Sequence, residues 1–291
     1  MKFGIHYIYW QQNLDCKSYV PFVEKAKSCG FDCLELGDNL IVHMDEREVE
    51  RLAAASKAYE IELTLGLDPG PEMALTSSQR EIRRRGVDMY KRLFPKLSRL
   101  GISMLCGHLL NAPPTKPSTL HRQEEWERGV EAVAEIAGAA RDYGIRLNVE
   151  VCNRYESHLL NTAAQGAAFI RETGERNLGL LLDTFHMNIE EAGFTQAIQT
   201  AGDLLGHLHI GENNRGLPGV GHLPWREIAD ALQSIGYKRR LTMEPLVQAG
   251  GELGDSCRIW RDLTYASDAA ELDAKAAASL QTLKSFFRND N

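Results

Sequence analysis

The sequence predicts an α/β protein built as a single (β/α)8 TIM barrel with an additional C-terminal helix, and three observations point there. Short apolar runs alternate with longer stretches of helical period along the 291 residues. There are eight such runs, each followed by a helical stretch, the number that closes a barrel. A glycine stands just ahead of a run in Gly30-Phe31, Gly101-Ile102, Gly144-Ile145 and Gly236-Tyr237, where a finishing helix needs a left-handed cap. Barrels of this kind reach this length as one unit, so one domain over 1–291 is expected, with the barrel over about 1–265.

In chain order the expected strands are Phe3–Trp10, Phe31–Leu36, Ile61–Leu67, Ile102–Cys106, Arg146–Val151, Leu178–Leu182, Leu204–Ile210 and Leu241–Leu246. The expected helices lie at 17–29, 45–59, 78–98, 120–143, 162–173, 193–201, 224–235 and 256–264. Ser78 with Glu81 reads as a capping box for the third helix. Pro95 should kink or end that helix. The proline-rich stretch Ala112 to Pro117 suits neither a helix nor a central strand and reads as the loop after strand 4. Leu272, Ala276, Leu280, Leu283 and Phe287 form one apolar stripe of a last helix over about 268–288, suited to packing on the barrel or on a partner copy.

Composition narrows the function. A net charge of −7 argues against a nucleic-acid partner, which calls for a basic face. No apolar run is long enough to span a membrane, and Met1 to Trp10 lacks the form of a signal peptide. Six scattered cysteines with no C-x-x-C pair read as reduced thiols of a cytoplasmic protein. Arg83-Arg84-Arg85, with Glu81 and Asp88 nearby, reads as a solvated, ion-paired helix face. The Gly250–Gly254 stretch has no phosphate-loop Lys or Ser/Thr, which suggests a flexible loop and a non-phosphorylated substrate.

Active sites of such barrels gather at the C-terminal ends of the strands. Strand 5 ends on Glu150, strand 6 on Asp183, strand 7 on His209 and strand 8 on Glu244, each about one βα unit from the next. Alone, any of these is as readily a cap or an ion-paired strand end. Together, three buried carboxylates need a compensating charge, and a divalent cation is the simplest one. Three carboxylates and one imidazole favour Mn²⁺, with Mg²⁺ and Co²⁺ as alternatives, over an ion that prefers thiolate. Glu156, His186 and Arg215 follow these ends on βα loops, where substrate contacts belong. His6, Cys106 and His108 are placed to line the cavity, although a core role suits each equally. His207 reads as a supporting or core residue, not a fifth ligand.

Several segments resemble one family. They are Val149-Glu150-Val151-Cys152-Asn153-Arg154-Tyr155-Glu156, the ten residues Leu182 to Glu191 (LDTFHMNIEE), Gly206 to Glu212 (GHLHIGE), Met243-Glu244-Pro245, Pro218-Gly219 with Gly221 and Pro224-Trp225, and Ile259 to Asp262. The chain is similar over its whole length to the ketose 3-epimerases, the D-tagatose and D-psicose (D-allulose) 3-epimerase group of xylose isomerase-like barrels. The resemblance implies that Glu150, Asp183, His209 and Glu244 hold the metal and that Glu150 and Glu244 are also the acid/base pair. Glu156, His186 and Arg215 would hold oxygens at the first carbons of the sugar, with His6 and Leu246 also in the substrate pocket. It further implies a homodimer or homotetramer and a small-molecule ketose as partner.

The implied chemistry is removal of the proton on carbon 3 by one glutamate, a cis-enediolate, and reprotonation from the other glutamate on the opposite face. A divalent cation on O2 and O3 would lower the barrier as a Lewis acid. The sequence departs from the family where Leu14, Ala112 and Leu246 replace aromatic residues, so the far end of the pocket is expected to be less aromatic. Competing readings keep the barrel and change the reaction, as in aldose–ketose isomerases, inosose dehydratases and a tri-zinc DNA-repair endonuclease. Nine histidines and the negative charge speak against the last of these. A non-catalytic sugar-binding barrel would lose one of the four strand-end ligands, and all four are present.

Overall fold

A computed structural model describes residues 1–13, 16–110 and 122–287. Leu14 and the whole proline-rich stretch from Ala112 to Pro117 therefore lie outside the described residues. The strands are β1 (Lys2–His6), β2 (Cys33–Leu36), β3 (Glu62–Gly66), β4 (Met104–Gly107), β5 (Arg146–Glu150), β6 (Leu178–Asp183), β7 (Leu205–Ile210) and β8 (Arg240–Met243). They form a closed parallel barrel in chain order. The helices are α1 (Val20–Ser28), α2 (Asp38–Ile41), α3 (Glu46–Tyr59), α4 (Arg80–Arg99), α5 (Arg122–Arg141), α6 (Ala163–Thr173), α7 (Thr184–Glu190), α8 (Phe194–Ala201), α9 (Trp225–Ser234), α10 (Gly251–Ser256) and α11 (Ala269–Phe286).

The chain groups into two compact units, residues 1–63 with 208–291, and residues 64–207. In the first unit β1 pairs with β2 and β8, with Ile5 opposite Leu34 and Met243, and His209 of β7 lies opposite Thr242 of β8. Here Ile5, Leu34, Leu208 and Leu241 are fully buried. In the second unit β4 pairs with β5, Cys106 opposite Asn148, and β5 pairs with β6, Glu150 opposite Leu181. Every residue of β6 and of β7 is buried, as parallel strands covered on both faces require. Glu150 and Asp183 are the last residues of β5 and β6, and His209 lies one residue before the end of β7.

The expected glycine caps are present: Gly30, Gly101, Gly144 and Gly236 all have φ between 65° and 88°. The last helix is also as expected. Leu272, Ala276, Leu280 and Leu283 of α11 are buried, and Phe287 meets Phe3 edge-on with ring centroids 5.8 Å apart. All six cysteines are free thiols. Of the arginine triplet, Arg84 is ion-paired, its Nε 3.1 Å from Asp88 Oδ1, whereas Arg83 and Arg85 donate to the Ser77 and Glu72 carbonyls. No helix among the described residues is long and apolar enough to cross a membrane.

Five local expectations differ. Tyr7–Trp10 does not continue strand 1 but turns into a 3₁₀ helix, because His6 Nδ1 accepts the Ile8 N–H and the Tyr9 hydroxyl donates to the Leu272 carbonyl. Ser78 does not cap α4. Gln79 occupies that position with no side-chain bond, and the capping box in the structure is Asp268 with Glu271. Pro95 does not end α4, which runs on to Arg99 because Tyr90, Phe94 and Leu97 keep that face buried. The helix expected at 256–264 is replaced by α10, which stops at Ser256 where Arg258 adopts φ 59° and the chain turns left-handed. The flexible loop expected at 250–254 is the start of that same helix. Gly250 and Gly251, at φ 76° and 70°, turn the chain so that the Leu253 N–H reaches the Gln12 carbonyl.

Candidate active site

The residues of the first unit build one set of groups. His209 sits on β7 and Glu35 on β2, both buried. His209 Nε2 lies 2.6 Å from Glu35 Oε1. Since Glu35 is a carboxylate, Nε2 carries a proton and donates it, so Nδ1 is the nitrogen that a metal ion would take. That atom faces Glu244, 3.4 Å from its Oε2. Glu244 follows β8, and Arg215 Nη1 donates to its Oε2 at 2.9 Å. Burial alone would raise the Glu244 pKa, but His209, Arg215 and His6 outweigh it and hold the carboxylate well below its ordinary range. Arg215 lies at φ 62° in the loop after β7, and its carbonyl accepts the Leu246 N–H at 2.8 Å. His6 ends β1 with its ring centroid 6.5 Å from that of His209. The loop is organised by Glu212, fully buried, which accepts from the Gly219 and Leu223 N–H groups and from the Trp225 indole at 2.6 Å.

The second unit builds another set. Glu150 ends β5 and Asp183 ends β6, at 7% and 1% exposure, with ligand oxygens within 4.8 Å of each other. Asp183 also caps α7 by accepting the Phe185 N–H at 2.9 Å, so strand and helix meet with no loop between them. That turn places His186 on the first turn of α7, with Nε2 3.5 Å from Glu150 Oε1 and 3.7 Å from Asp183 Oδ2. Asn153 sets the protonation of this ring. Its Oδ1 accepts the Tyr155 N–H, so its amide nitrogen points the other way and donates to Glu156 Oε1 at 3.0 Å and His186 Nδ1 at 2.8 Å. His186 therefore presents an Nε2–H donor to the carboxylates. His108 follows β4, with Nδ1 2.9 Å from Asp68 Oδ1 and 3.9 Å from Glu150 Oε2. Desolvation opposes its protonation, yet Cys152, Asp68 and Glu150 outweigh it and raise its pKa.

Within each unit the expected residues are brought together: His6, His209, Arg215, Glu244 and Leu246 in one, Glu150, Glu156, Asp183 and His186 in the other. Buried His, Glu and Asp side chains thus offer donors able to hold a metal ion, and the donor chemistry fits one. Two carboxylates lie side by side out of water, and an imidazole has its other nitrogen committed to a carboxylate, the usual support of a metal-bound histidine. Glu35 and Asn153 are not among the residues that strand-end position picks out. A signal existed for Glu35, a carboxylate inside the apolar run Leu34-Glu35-Leu36. The role of Asn153 depends on a partner on another strand's loop and leaves no local sign.

A family model described as "Xylose isomerase-like TIM barrel" matches residues 23–263. D-psicose 3-epimerase of Agrobacterium fabrum is 40% identical over 96% of this chain and 97% of its own. This chain belongs to the ketose 3-epimerases. It stands with them among the isomerases that act on carbohydrates. A crystal structure of a D-psicose 3-epimerase in the presence of D-fructose superposes with a TM-score of 0.95, at 39% identity and 99% coverage of both chains. That of D-psicose 3-epimerase with D-tagatose from Clostridium cellulolyticum H10 gives 0.96, at 38% identity, covering 99% of this chain and 100% of the other.

Proposed function

We propose that this protein epimerises free ketoses at carbon 3, of the D-fructose/D-psicose, D-tagatose/D-sorbose or L-ribulose type, with Glu150 and Glu244 as the two bases. The observation that carries the reading is the placing of these glutamates at the ends of β5 and β8 in unlike surroundings. Glu244 is kept ionised by Arg215 and His209, whereas Glu150 faces the Nε2–H of His186. An ionised carboxylate is ready to accept the carbon-3 proton. The electron pair left behind moves into the adjacent carbonyl and gives a cis-enediolate. A protonated carboxylate on the other side returns a proton to the same carbon, and the configuration there inverts. For the reverse reaction the two glutamates exchange roles. Each positioned acid or base contributes about 10²- to 10⁴-fold.

Glu150, Asp183, His209 and Glu244 would together hold one divalent cation, Mn²⁺ ahead of Mg²⁺ or Co²⁺. When bound, such an ion supplies Lewis-acid stabilisation of the negative charge that develops on the sugar oxygens. Arg215, Glu156 and His186 would orient the hydroxyls near the reacting carbon, with His6 and Leu246 bordering the sugar. The chain would work as one barrel domain in a cytoplasmic homodimer or homotetramer.

Proton NMR in D₂O tests the reaction. The Mn²⁺-loaded protein is given D-fructose, D-tagatose and L-ribulose in turn. Deuterium at carbon 3 alone, with the carbon-3 epimer accumulating, is expected. Deuterium at carbon 1 with aldose products would move the chain to the aldose–ketose isomerases. No exchange in any ketose would overturn the proposal and direct the search to cyclitols.

A further inference from the structure

A second group of donors lies beside Glu150. His108, Glu150, Cys152 and His186 each offer a ligand atom, all within 4.8 Å of one another. Cys152 is fully buried on the loop after β5, its N–H bonded to the Leu160 carbonyl and its own carbonyl accepting from Asn161 Nδ2. His108 is held from two directions by one carboxylate: its backbone N–H and its Nδ1 both meet Asp68 Oδ1, at 3.0 and 2.9 Å. With Nδ1–H donated to Asp68, Nε2 is the nitrogen left for a metal ion. That nitrogen is buried, and the His108 ring interacts electrostatically with the thiol of Cys152. An imidazole oriented by a carboxylate through one nitrogen, with the other turned inward beside a thiol, is the arrangement of a metal ligand.

The donor set differs in kind from the strand-end set. Glu150, Asp183, His209 and Glu244 supply mostly oxygen and suit a hard ion. His108, Cys152 and Glu150 supply nitrogen, sulfur and oxygen, the mixture that Zn²⁺ takes. His186 borders the group, but Asn153 donates to its Nδ1, so its Nε2 carries the proton and serves as a hydrogen-bond donor. The thiol would release its proton to solvent on ligation.

We infer that His108, Cys152 and Glu150 form a second, thiolate-containing metal site that takes Zn²⁺-class ions and competes, through the shared Glu150, with the hard ion of the strand-end set. Occupation of this site takes Glu150 away from proton transfer, so the protein is inhibited by thiophilic ions and protected by excess Mn²⁺. The inference rests on ligand chemistry; only its inhibitory consequence depends on the proposed reaction.

Co²⁺ is the probe, because a cobalt–thiolate bond gives an intense charge-transfer band in the near ultraviolet that oxygen and nitrogen ligands do not. Metal-free, full-length protein is titrated with Co²⁺ and its absorption recorded. The band is expected in the wild type, lost in Cys152→Ala and in Cys152→Ser, kept in Cys106→Ala, and bleached by Zn²⁺. His108→Gln should weaken Co²⁺ binding at this band by roughly tenfold or more. Visible cobalt bands without the near-ultraviolet band in the wild type would overturn the proposal, whatever the variants do. So would survival of the band in either Cys152 variant with a native circular dichroism spectrum. A missing band leaves the carbon-3 reaction untouched, and failure of the D₂O experiment leaves the band to stand or fall on its own.

Discussion

Replacing Glu35 by Gln or Leu asks whether a buried carboxylate two strand positions into β2 governs metal affinity through His209. The bond is short, 2.6 Å, and both side chains are almost fully shielded from water, at 0% and 2% exposure. Supporting bonds of this type are worth about 10- to 100-fold in metal affinity. With each tenfold step equal to about 1.4 kcal/mol, the expected loss is about 1.4–2.8 kcal/mol. Gln keeps an oxygen that accepts the Nε2–H, so the tautomer survives and only the charge is lost; Glu35→Gln should fall near the tenfold end. Leu removes the acceptor as well. His209 can then place its proton on Nδ1, the atom that faces Glu244, and Glu35→Leu should fall near or beyond the hundredfold end. Calorimetric titration of metal-free protein with Mn²⁺ measures the affinities, and circular dichroism establishes that each variant is folded. A folded Glu35→Leu that binds Mn²⁺ as tightly as the wild type would refute the reasoning. So would Gln and Leu weakening the affinity equally, since the argument separates charge from tautomer.

Two further outcomes are expected. Glu150→Gln and Glu244→Gln should each lower kcat by about 10²-fold or more while the melting temperature stays near that of the wild type; turnover above a tenth of wild type in either would end the two-base reading. Arg154 grips Glu190 through Nε and Nη2, both at 2.9 Å, and these hydrogen bonds hold the Glu190 pKa below its ordinary value. A lowered carboxylate pKa stabilises the fold above the unfolded-state value of about 4.3 and loses that effect as pH falls through the folded-state value. The melting temperature of Glu190→Gln should therefore lie below wild type at neutral pH, with the gap closing in acid; a gap of the same size at both would show that the ion pair is not its source.

The strand ends are where the sequence was most legible. A carboxylate or imidazole that terminates a run such as Leu180-Leu181-Leu182-Asp183 is placed by the strand itself: the run must be buried, and the residue after it emerges at the barrel rim. The left-handed glycine caps and the stripe of α11 were legible for the same reason, since each is fixed within a few neighbouring residues. Local signals misled where two similar ones competed. Ser78 and Asp268 both offer a cap three residues ahead of a glutamate, and only Asp268 starts its helix in the right place. Tyr7 to Trp10 carries strand composition, yet its hydroxyl partner is the Leu272 carbonyl, far along the chain.

The sequence by itself thus determined the barrel and its strand count, because periodicity is a local property, gave the family through its motif segments, and put Glu150, Asp183, His209 and Glu244 at or beside the ends of β5 to β8 as candidate donors. Only the tertiary structure decided how those donors are tuned. Glu35 meets His209 across 174 residues of chain, Asn153 meets His186 across 33, and His108 shares Asp68, Glu150 and Cys152 from three different loops or strands. Which nitrogen of an imidazole carries its proton depends on the partner it faces, and in a parallel barrel that partner comes from another strand or the loop beyond it.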